Sequence, residues 1–256
     1  MPTRVTKTTR ESQTARRVQP KPKVLPRVER TNALNINEFV SLYISPPKTA
    51  IESTPTNLAT NPAEISLQDV AAHTPLEVYS AKSIPTAALE ACLDLIELTS
   101  GSAYAASGIG WSRSKKRKEM QLPDMKYLIL RGVAETEEPN VNVNVNVEPD
   151  FRTVIGFLSF MVTYEDGKEV VYCYEIHLSP TVRGRGLGKL LMGRMEEIGR
   201  LVGLEKAMLT VFRSNEAARE FYKRGGYEVD EFSPQPRRLR NGTIKEWDYL
   251  ILSKRL

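Results

Sequence analysis

The residues richest in chemistry lie in one stretch, Val182-Arg183-Gly184-Arg185-Gly186-Leu187-Gly188-Lys189-Leu190-Leu191. Glycines at 184, 186 and 188 let backbone N–H groups turn together toward an anion without Cβ obstruction. A helix starting near Leu187 places about half a positive charge at its N-terminus. Arg183 and Arg185 add full charges. The pattern is a cradle for a pyrophosphate. It is not a Walker loop, because no Gly-Lys-Ser/Thr ends it, and its spacing is not the G-x-G-x-x-G of dinucleotide folds. The plain alternative is a basic strand-to-helix turn.

The surrounding elements must position this loop. Residues 154–164 and 170–178 read as strands joined by Glu165-Asp166-Gly167-Lys168, and Asp-Gly between two apolar runs signals a hairpin. An amphipathic helix follows over 187–201, then a strand over 206–212. A second helix spans 215–224 and is closed by Gly225-Gly226. The last strands are 227–231 and 248–252. Upstream, Pro85 opens a helix whose Leu89, Cys92, Leu93 and Ile96 share one face, with Gly101 as its stop. Residues 113–120 read as a charged helical turn or two, and 127–130 as a strand. An antiparallel hairpin followed by strand–turn–helix–strand–helix–strand predicts an α/β (α+β) domain, a mixed sheet flanked by helices.

Charge divides the chain unevenly. The net charge over 256 residues is +5, yet residues 1–30 alone carry +7, leaving −2 on the rest. The basic character belongs to a tail, which argues against a uniformly basic nucleic-acid-binding domain. No run of about 18 apolar residues predicts a membrane span, and no apolar h-region predicts a secretory signal. Two cysteines, Cys92 and Cys173, make no disulfide framework and suit a reducing compartment. Two histidines, His73 and His177, give no metal-ligand set.

The domain reading follows. Residues 1–30 are expected to be a disordered basic tail. Residues 31–82 form an N-terminal segment partly docked on the core through the apolar patch 39–44. The folded body occupies 83–256. Within it, 133–150, with the repeat Asn140-Val-Asn-Val-Asn-Val-Asn-Val147, is a variable insertion.

Arg-x-x-Gly-x-Gly after a strand resembles the acetyl-CoA signature of the GNAT acetyltransferase superfamily. The run Leu209-Thr-Val-Phe-Arg-Ser-Asn215-Glu-Ala-Ala-Arg-Glu-Phe221-Tyr222-Lys-Arg-Gly-Gly-Tyr227 is similar to that superfamily's later half. Within it, Tyr172-Cys-Tyr-Glu-Ile-His-Leu178, Leu209-Thr-Val-Phe212, Tyr104 with Gly110-Trp111, the basic turn ending Glu119-Met120, and Tyr249-Leu-Ile-Leu-Ser-Lys-Arg255 resemble the NatD-type histone N-alpha-acetyltransferases. The likeness covers roughly 84–256 and faintly 24–44. It departs at Ile109, where the family has Trp-Gly-Trp, and at Thr163, where an acidic residue is common.

The resemblance implies the GNAT acyltransferase fold and acetyl-CoA as co-substrate, with no metal. Backbone at Ile176, His177 and Leu178 would bind pantetheine as an added strand does. Arg183, Gly184, Arg185, Gly186, Leu187, Gly188 and Lys189 would hold the pyrophosphate, and Asn215 the region near the sulfur. Tyr222 matches the position that protonates the leaving thiolate. Glu175 is the candidate base, with an ion-paired structural carboxylate as its alternative. A modest base suffices, since an α-amine loses its proton roughly 2.5 pH units below a lysine. Tyr104, Tyr174, Thr210 and Tyr249 would line a peptide pocket, and Glu165 would pair with a substrate arginine. Tyr172 and Tyr174 share a strand face, opposite Glu175 unless a bulge intervenes.

The implied reaction is acetylation of the N-terminal serine of histone tails beginning Ser-Gly-Arg-Gly, by a monomer in nucleus and cytoplasm. Lysine or small-amine acetylation is the first alternative. A non-catalytic CoA-binding scaffold is the second. The cluster Arg113-Lys115-Lys116-Arg117-Lys118 reads either as an import signal or as a solvated helix face. The tail could contact ribosomal RNA or nucleosomal DNA through a sequence-independent charge term.

Overall fold

The computed structural model describes residues 25–44, 76–132, 153–238 and 240–256. The expected tail up to residue 24, most of the 48–80 stretch and the Asn-Val insertion lie outside the described residues.

The described chain runs α1 (Arg27–Asn32), α2 (Ile36–Tyr43), β1 (Leu76–Ser80), α3 (Thr86–Ala106), α4 (Arg113–Met120), β2 (Lys126–Gly132), β3 (Thr153–Glu165) and β4 (Lys168–Leu178). It continues with α5 (Leu187–Val202), β5 (Lys206–Phe212), α6 (Glu216–Arg224), β6 (Glu228–Val229), β7 (Arg237–Arg238), β8 (Ile244–Lys245) and β9 (Tyr249–Arg255). Seven strands form one sheet in the order β1-β2-β3-β4-β5-β9-β6, and β7 and β8 form a separate ribbon. All neighbours in the large sheet are antiparallel except β4 and β5, which are parallel. The expected mixed sheet flanked by helices is the fold observed.

Each sheet face buries its own core, because side chains alternate along a strand. Tyr127, Ile129, Phe157 and Met161 point to the side of α3 and α4, where they meet Leu89, Cys92, Leu93, Ile96 and Met120. Leu128, Leu130, Leu158, Phe160 and Val162 point the other way, against α5, α6 and the N-terminal helices. On α5 the buried residues Leu187, Leu191, Met195, Ile198 and Val202 recur every three or four positions, one stripe of a 3.6-residue helix. The Asp-Gly hairpin is built as expected. Asp166 and Gly167 take φ of 47° and 77°, the paired positive angles of the turn that matches strand twist.

Three boundaries differ from the sequence reading. The expected tail gives way to structure at Arg27: α1 docks through Arg27, whose guanidinium donates to the Gly203 carbonyl at 2.8 Å and pairs with Glu169. Phe39 of α2 is fully buried against Phe160. The body begins at β1, not at Ser83, because Leu76–Ser80 pairs along β2. Helix α3 passes through Gly101 and ends at Ala106, since one glycine costs a helix only about 1 kcal/mol. The extra turns carry Tyr104. Among the described residues no helix is long and apolar enough to cross a membrane.

Candidate active site

The sheet opens at its centre. β4 and β5 pair in register from Val170–Lys206 to Cys173–Leu209, where the pairing ends. β4 runs on to Leu178, so its edge groups beyond that point are free to take an added strand. The separation coincides with a bulge. Across β3, Ser159 pairs with Glu175 and Phe160 with Cys173, leaving Tyr174 as the extra residue. A bulge resets the facing of the strand. Tyr174 and Glu175 therefore both serve the α3 side of the sheet, where Tyr174 packs in the apolar cluster of α3 and Glu175 meets α3 and α4.

Below the opening lies a cleft of about 570 Å³. Ile176, His177 and Leu178 form one wall, the glycine turn another, and Asn215, Phe221 and Tyr222 a third. Gly184 and Gly186 have φ of 77° and 81°, angles that other residues adopt only with strain. Gly188 has a different task, since a Cβ there would stand 3.2 Å from the Phe221 ring. Arg183 and Lys189 line the cleft, as do Gly184, Gly186, Leu187 and Gly188; Arg185 is exposed and is not part of the wall. Arg224 lines the cleft as well, so its side-chain cations are Arg183, Lys189 and Arg224. Asn215 caps α6, its side-chain oxygen accepting from the Ala218 N–H at 3.1 Å. Burial, then the fields of Cys173 and Glu175, push the Tyr222 phenol well above its ordinary pKa, so it keeps its proton.

Glu175 is the electrostatic centre of the site. Its carboxylate is 6% exposed. Oε1 accepts from the Lys116 ammonium at 2.7 Å and from the Tyr104 hydroxyl at 2.6 Å. Oε2 lies 2.7 Å from Nε2 of His177. Burial alone would raise the carboxyl, but His177 and then Lys116 outweigh it and hold Glu175 down at about 2. For Lys116, burial would favour the neutral amine, and the Glu175 charge reverses this and keeps it cationic. Burial followed by Glu175 raises Tyr104, which remains a hydroxyl. Three acceptor sites of Glu175 are taken and its proton affinity is low, so the arrangement is that of a fixed anion.

Around Tyr104 the walls are aromatic. Trp111 and Phe212 lie 5.7 and 5.1 Å from its ring centre, and Phe212 pairs with Tyr249 across β5 and β9. Tyr172 and Tyr174 are 5.4 Å apart, and the Tyr172 hydroxyl bonds to Thr210 Oγ1 at 2.6 Å. Glu165 is raised by burial and by its neighbour Asp166. Its charge and that of Glu119 both act on Tyr174.

The basic turn is only in part a solvated helix face: Lys115 and Lys118 are exposed, while its other cations have partners. Arg113 pairs with Glu90, Asp94 and Glu97, and Arg117 with Glu90. Lys116 points into the site. The sequence reading missed Lys116 as a site residue, together with Thr99, Trp111 and Phe212. The available signal was spacing, since Lys116 precedes the buried Met120 by four residues and so shares its face.

Comparison with known proteins agrees with this architecture. Residues 111–227 match the Acetyltransferase (GNAT) family. The N-alpha-acetyltransferase 40 of Saccharomyces cerevisiae is 30% identical over 168 residues, which are 58% of this chain and 54% of the yeast protein. An uncharacterized N-acetyltransferase of Bacillus subtilis is 26% identical over 77 residues, 30% of this chain and 49% of its own. The chain thus spans about half the length of these curated relatives. Among solved structures, the PaiA N-acetyltransferase of Thermoplasma acidophilum in complex with coenzyme A superposes with a TM-score of 0.46 at 16% identity, covering 71% of this chain and 99% of the other. The glycine cradle and the opened sheet both lie within residues 111–227, the stretch that matches the Acetyltransferase (GNAT) family.

Proposed function

We propose that the chain transfers acetyl from acetyl-CoA to the α-amine of a protein N-terminus, and that its substrates are histone tails beginning Ser-Gly-Arg-Gly. The observation that carries the reading is the opening between β4 and β5, with the anion cradle on one side and a tyrosine wall with a carboxylate rim on the other. Acetyl-CoA supplies the activated thioester. The chain's own part is to hold it: backbone N–H groups of the turn, Arg183 and Lys189 take the pyrophosphate, and the free edge at Ile176–Leu178 takes the pantetheine. Gly188 keeps a Cβ from standing 3.2 Å from the Phe221 ring, so the turn packs closely on α6.

On the peptide side, Tyr104, Tyr174, Thr210 and Tyr249 form walls suited to a glycine-rich segment, and Glu165 pairs with the arginine at the third position. Tyr222 donates to the departing thiolate. Glu175 serves here as the buried anion that orients Tyr104, Lys116 and His177, the ion-paired alternative to the candidate base. The basic tail locates the enzyme at ribosomes or nucleosomes rather than taking part in catalysis. The 30% identity to a named N-alpha-acetyltransferase supports an α-amine over a lysine side chain.

The test is incubation of Ser-Gly-Arg-Gly-Lys peptide with labelled acetyl-CoA, the acetyl group being located by mass spectrometry. The expected product carries it on the terminal serine. Transfer to an N-terminally blocked peptide but not to the free one would show a lysine acetyltransferase instead.

A further inference from the structure

Both ring nitrogens of His177 have partners, and the partners fix what each nitrogen carries. Nε2 lies 2.7 Å from Glu175 Oε2. A carboxylate only accepts, so Nε2 bears a hydrogen and donates it. Nδ1 lies 2.6 Å from Thr99 Oγ1, and that oxygen lies 2.7 Å from the Leu95 carbonyl oxygen. A hydroxyl has one hydrogen to give. Given to Nδ1, it leaves His177 a neutral imidazole. Turned to the Leu95 carbonyl, it leaves Oγ1 to accept from an Nδ1–H, and His177 is an imidazolium. Every hydrogen bond of the ring is satisfied in both states. A proton can therefore enter at Nδ1 through rotation of one hydroxyl, with the ring itself unmoved.

The surroundings favour this use. Thr99 and His177 both line the cleft, in company with Tyr222. Phe157 of β3 stacks on the ring at 5.6 Å and holds its plane. Glu175 on β4 faces the ring with full charge. Behind it stand Lys116 of α4 and the neutral hydroxyl of Tyr104 of α3, and Glu119 bonds to Lys116. This is the relation of a buried carboxylate to a histidine that must become positive.

We propose that Thr99 and His177 are the proton outlet of the site, with Glu175 as the counter-ion of the imidazolium. The proposal rests on the acetyl-transfer reading above. As the amine nitrogen forms its bond to the acyl carbon it must shed one proton. That proton passes to Thr99 Oγ1 while the hydroxyl hydrogen passes to Nδ1. The carbon–sulfur bond breaks with its electron pair on sulfur, and the thiolate takes a proton from Tyr222. Tyr222 recovers a proton from solvent and His177 returns one to it, so none is gained or lost overall. The side chains of Thr99 and His177 act on the amine through this relay and hold no atom of the peptide.

Two measurements decide the matter. The chain has two histidines, so in His73→Gln the ring of His177 gives the whole histidine signal in a nitrogen-15 NMR titration. Nε2 is expected to stay protonated while Nδ1 alone titrates. A neutral ring protonated at Nδ1 and bare at Nε2 would overturn the assignment. In acetylation assays, Thr99→Val is expected to lower kcat about tenfold or more with KM for acetyl-CoA unchanged, and Thr99→Ser to restore it. His177→Gln, which can still donate to Glu175 but cannot store a proton, should lose the acid limb of the kcat profile. A Thr99→Val enzyme with unaltered kcat and pH profile defeats the outlet alone. A wild-type chain that acetylates no N-terminal amine defeats the proposed function, and the NMR titration still reports on the ring.

Discussion

The ammonium of Lys116 lies 2.7 Å from the carboxylate of Glu175, and both side chains are more than nine-tenths withdrawn from water. A surface-looking helix and the central strand are thus joined by a buried ion pair. Such a pair adds little over an apolar contact, but breaking it from one side leaves a charge uncompensated.

Lys116→Met is accordingly expected to destabilise the fold by roughly 3 kcal/mol, with His177 still shielding part of the Glu175 charge. The double variant Lys116→Met/Glu175→Gln should recover most of that loss. Urea unfolding of the two variants measures it; equal losses in both would mean that the pair is not coupled.

Acid stability follows from the same carboxylate. Glu175 is held at about 2 in the folded chain against an ordinary 4.5. A depressed carboxyl stabilises fully above its unfolded pKa, and the contribution is lost as pH falls from 4.5 through 2. The amount is about 3 kcal/mol, because the group is buried and one pKa unit is worth about 1.4 kcal/mol. Unfolding free energies measured down this range should fall steeply in the wild type and more gently in Glu175→Gln.

Lys126 predicts a slope of the same sign at alkaline pH, but from a group that costs stability when charged. Burial drives its ammonium down to about 8 from 10.5, with Asp124 opposing weakly. Between those values the unfolded chain binds the extra proton, so stability should rise with pH from 8 to 10.5. The ammonium donates to Asn32 Oδ1 at 3.0 Å, which repays part of the cost. Lys126→Met should therefore raise stability at neutral pH by about 1–3 kcal/mol and flatten the alkaline rise. Thermal unfolding at pH 7 and pH 10 reads both effects.

The cradle separates its cations. Arg183→Ala and Lys189→Ala should each weaken CoA binding about tenfold, an effect that salt reduces. Arg185→Ala should change it by less than about threefold, since the side chain is not on the wall of the cleft. Gly188→Val should weaken binding more than any of them, through the clash with Phe221. Calorimetric titration with CoA ranks the four variants, and an Arg185 effect equal to that of Arg183 would contradict the ranking.

Much was legible in the chain itself, for local reasons. The Asp166-Gly167 turn, the α5 stripe and the Gly184–Gly188 loop are fixed by backbone freedom and by the period of apolar residues, both properties of short windows. The order of strands and helices around the loop carried the fold. The charge split between the first 30 residues and the rest was likewise a matter of counting.

Three-dimensional packing decided what depends on residues distant in sequence. Nothing local in β4 says that Tyr174 is an extra residue, because a bulge is defined by the partner strand. That one residue turned Glu175 toward α3 and α4. The basic turn read as charge run or signal, yet carboxylates of Glu90, Asp94 and Glu97 on α3 hold Arg113, and Glu175 holds Lys116. The sequence determined which groups the site contains and the loop that binds the anion. The tertiary structure decided their charge states, because a carboxylate's proton affinity depends on what surrounds it: for Glu175, an ammonium from another helix and an imidazole two residues on, in the absence of water.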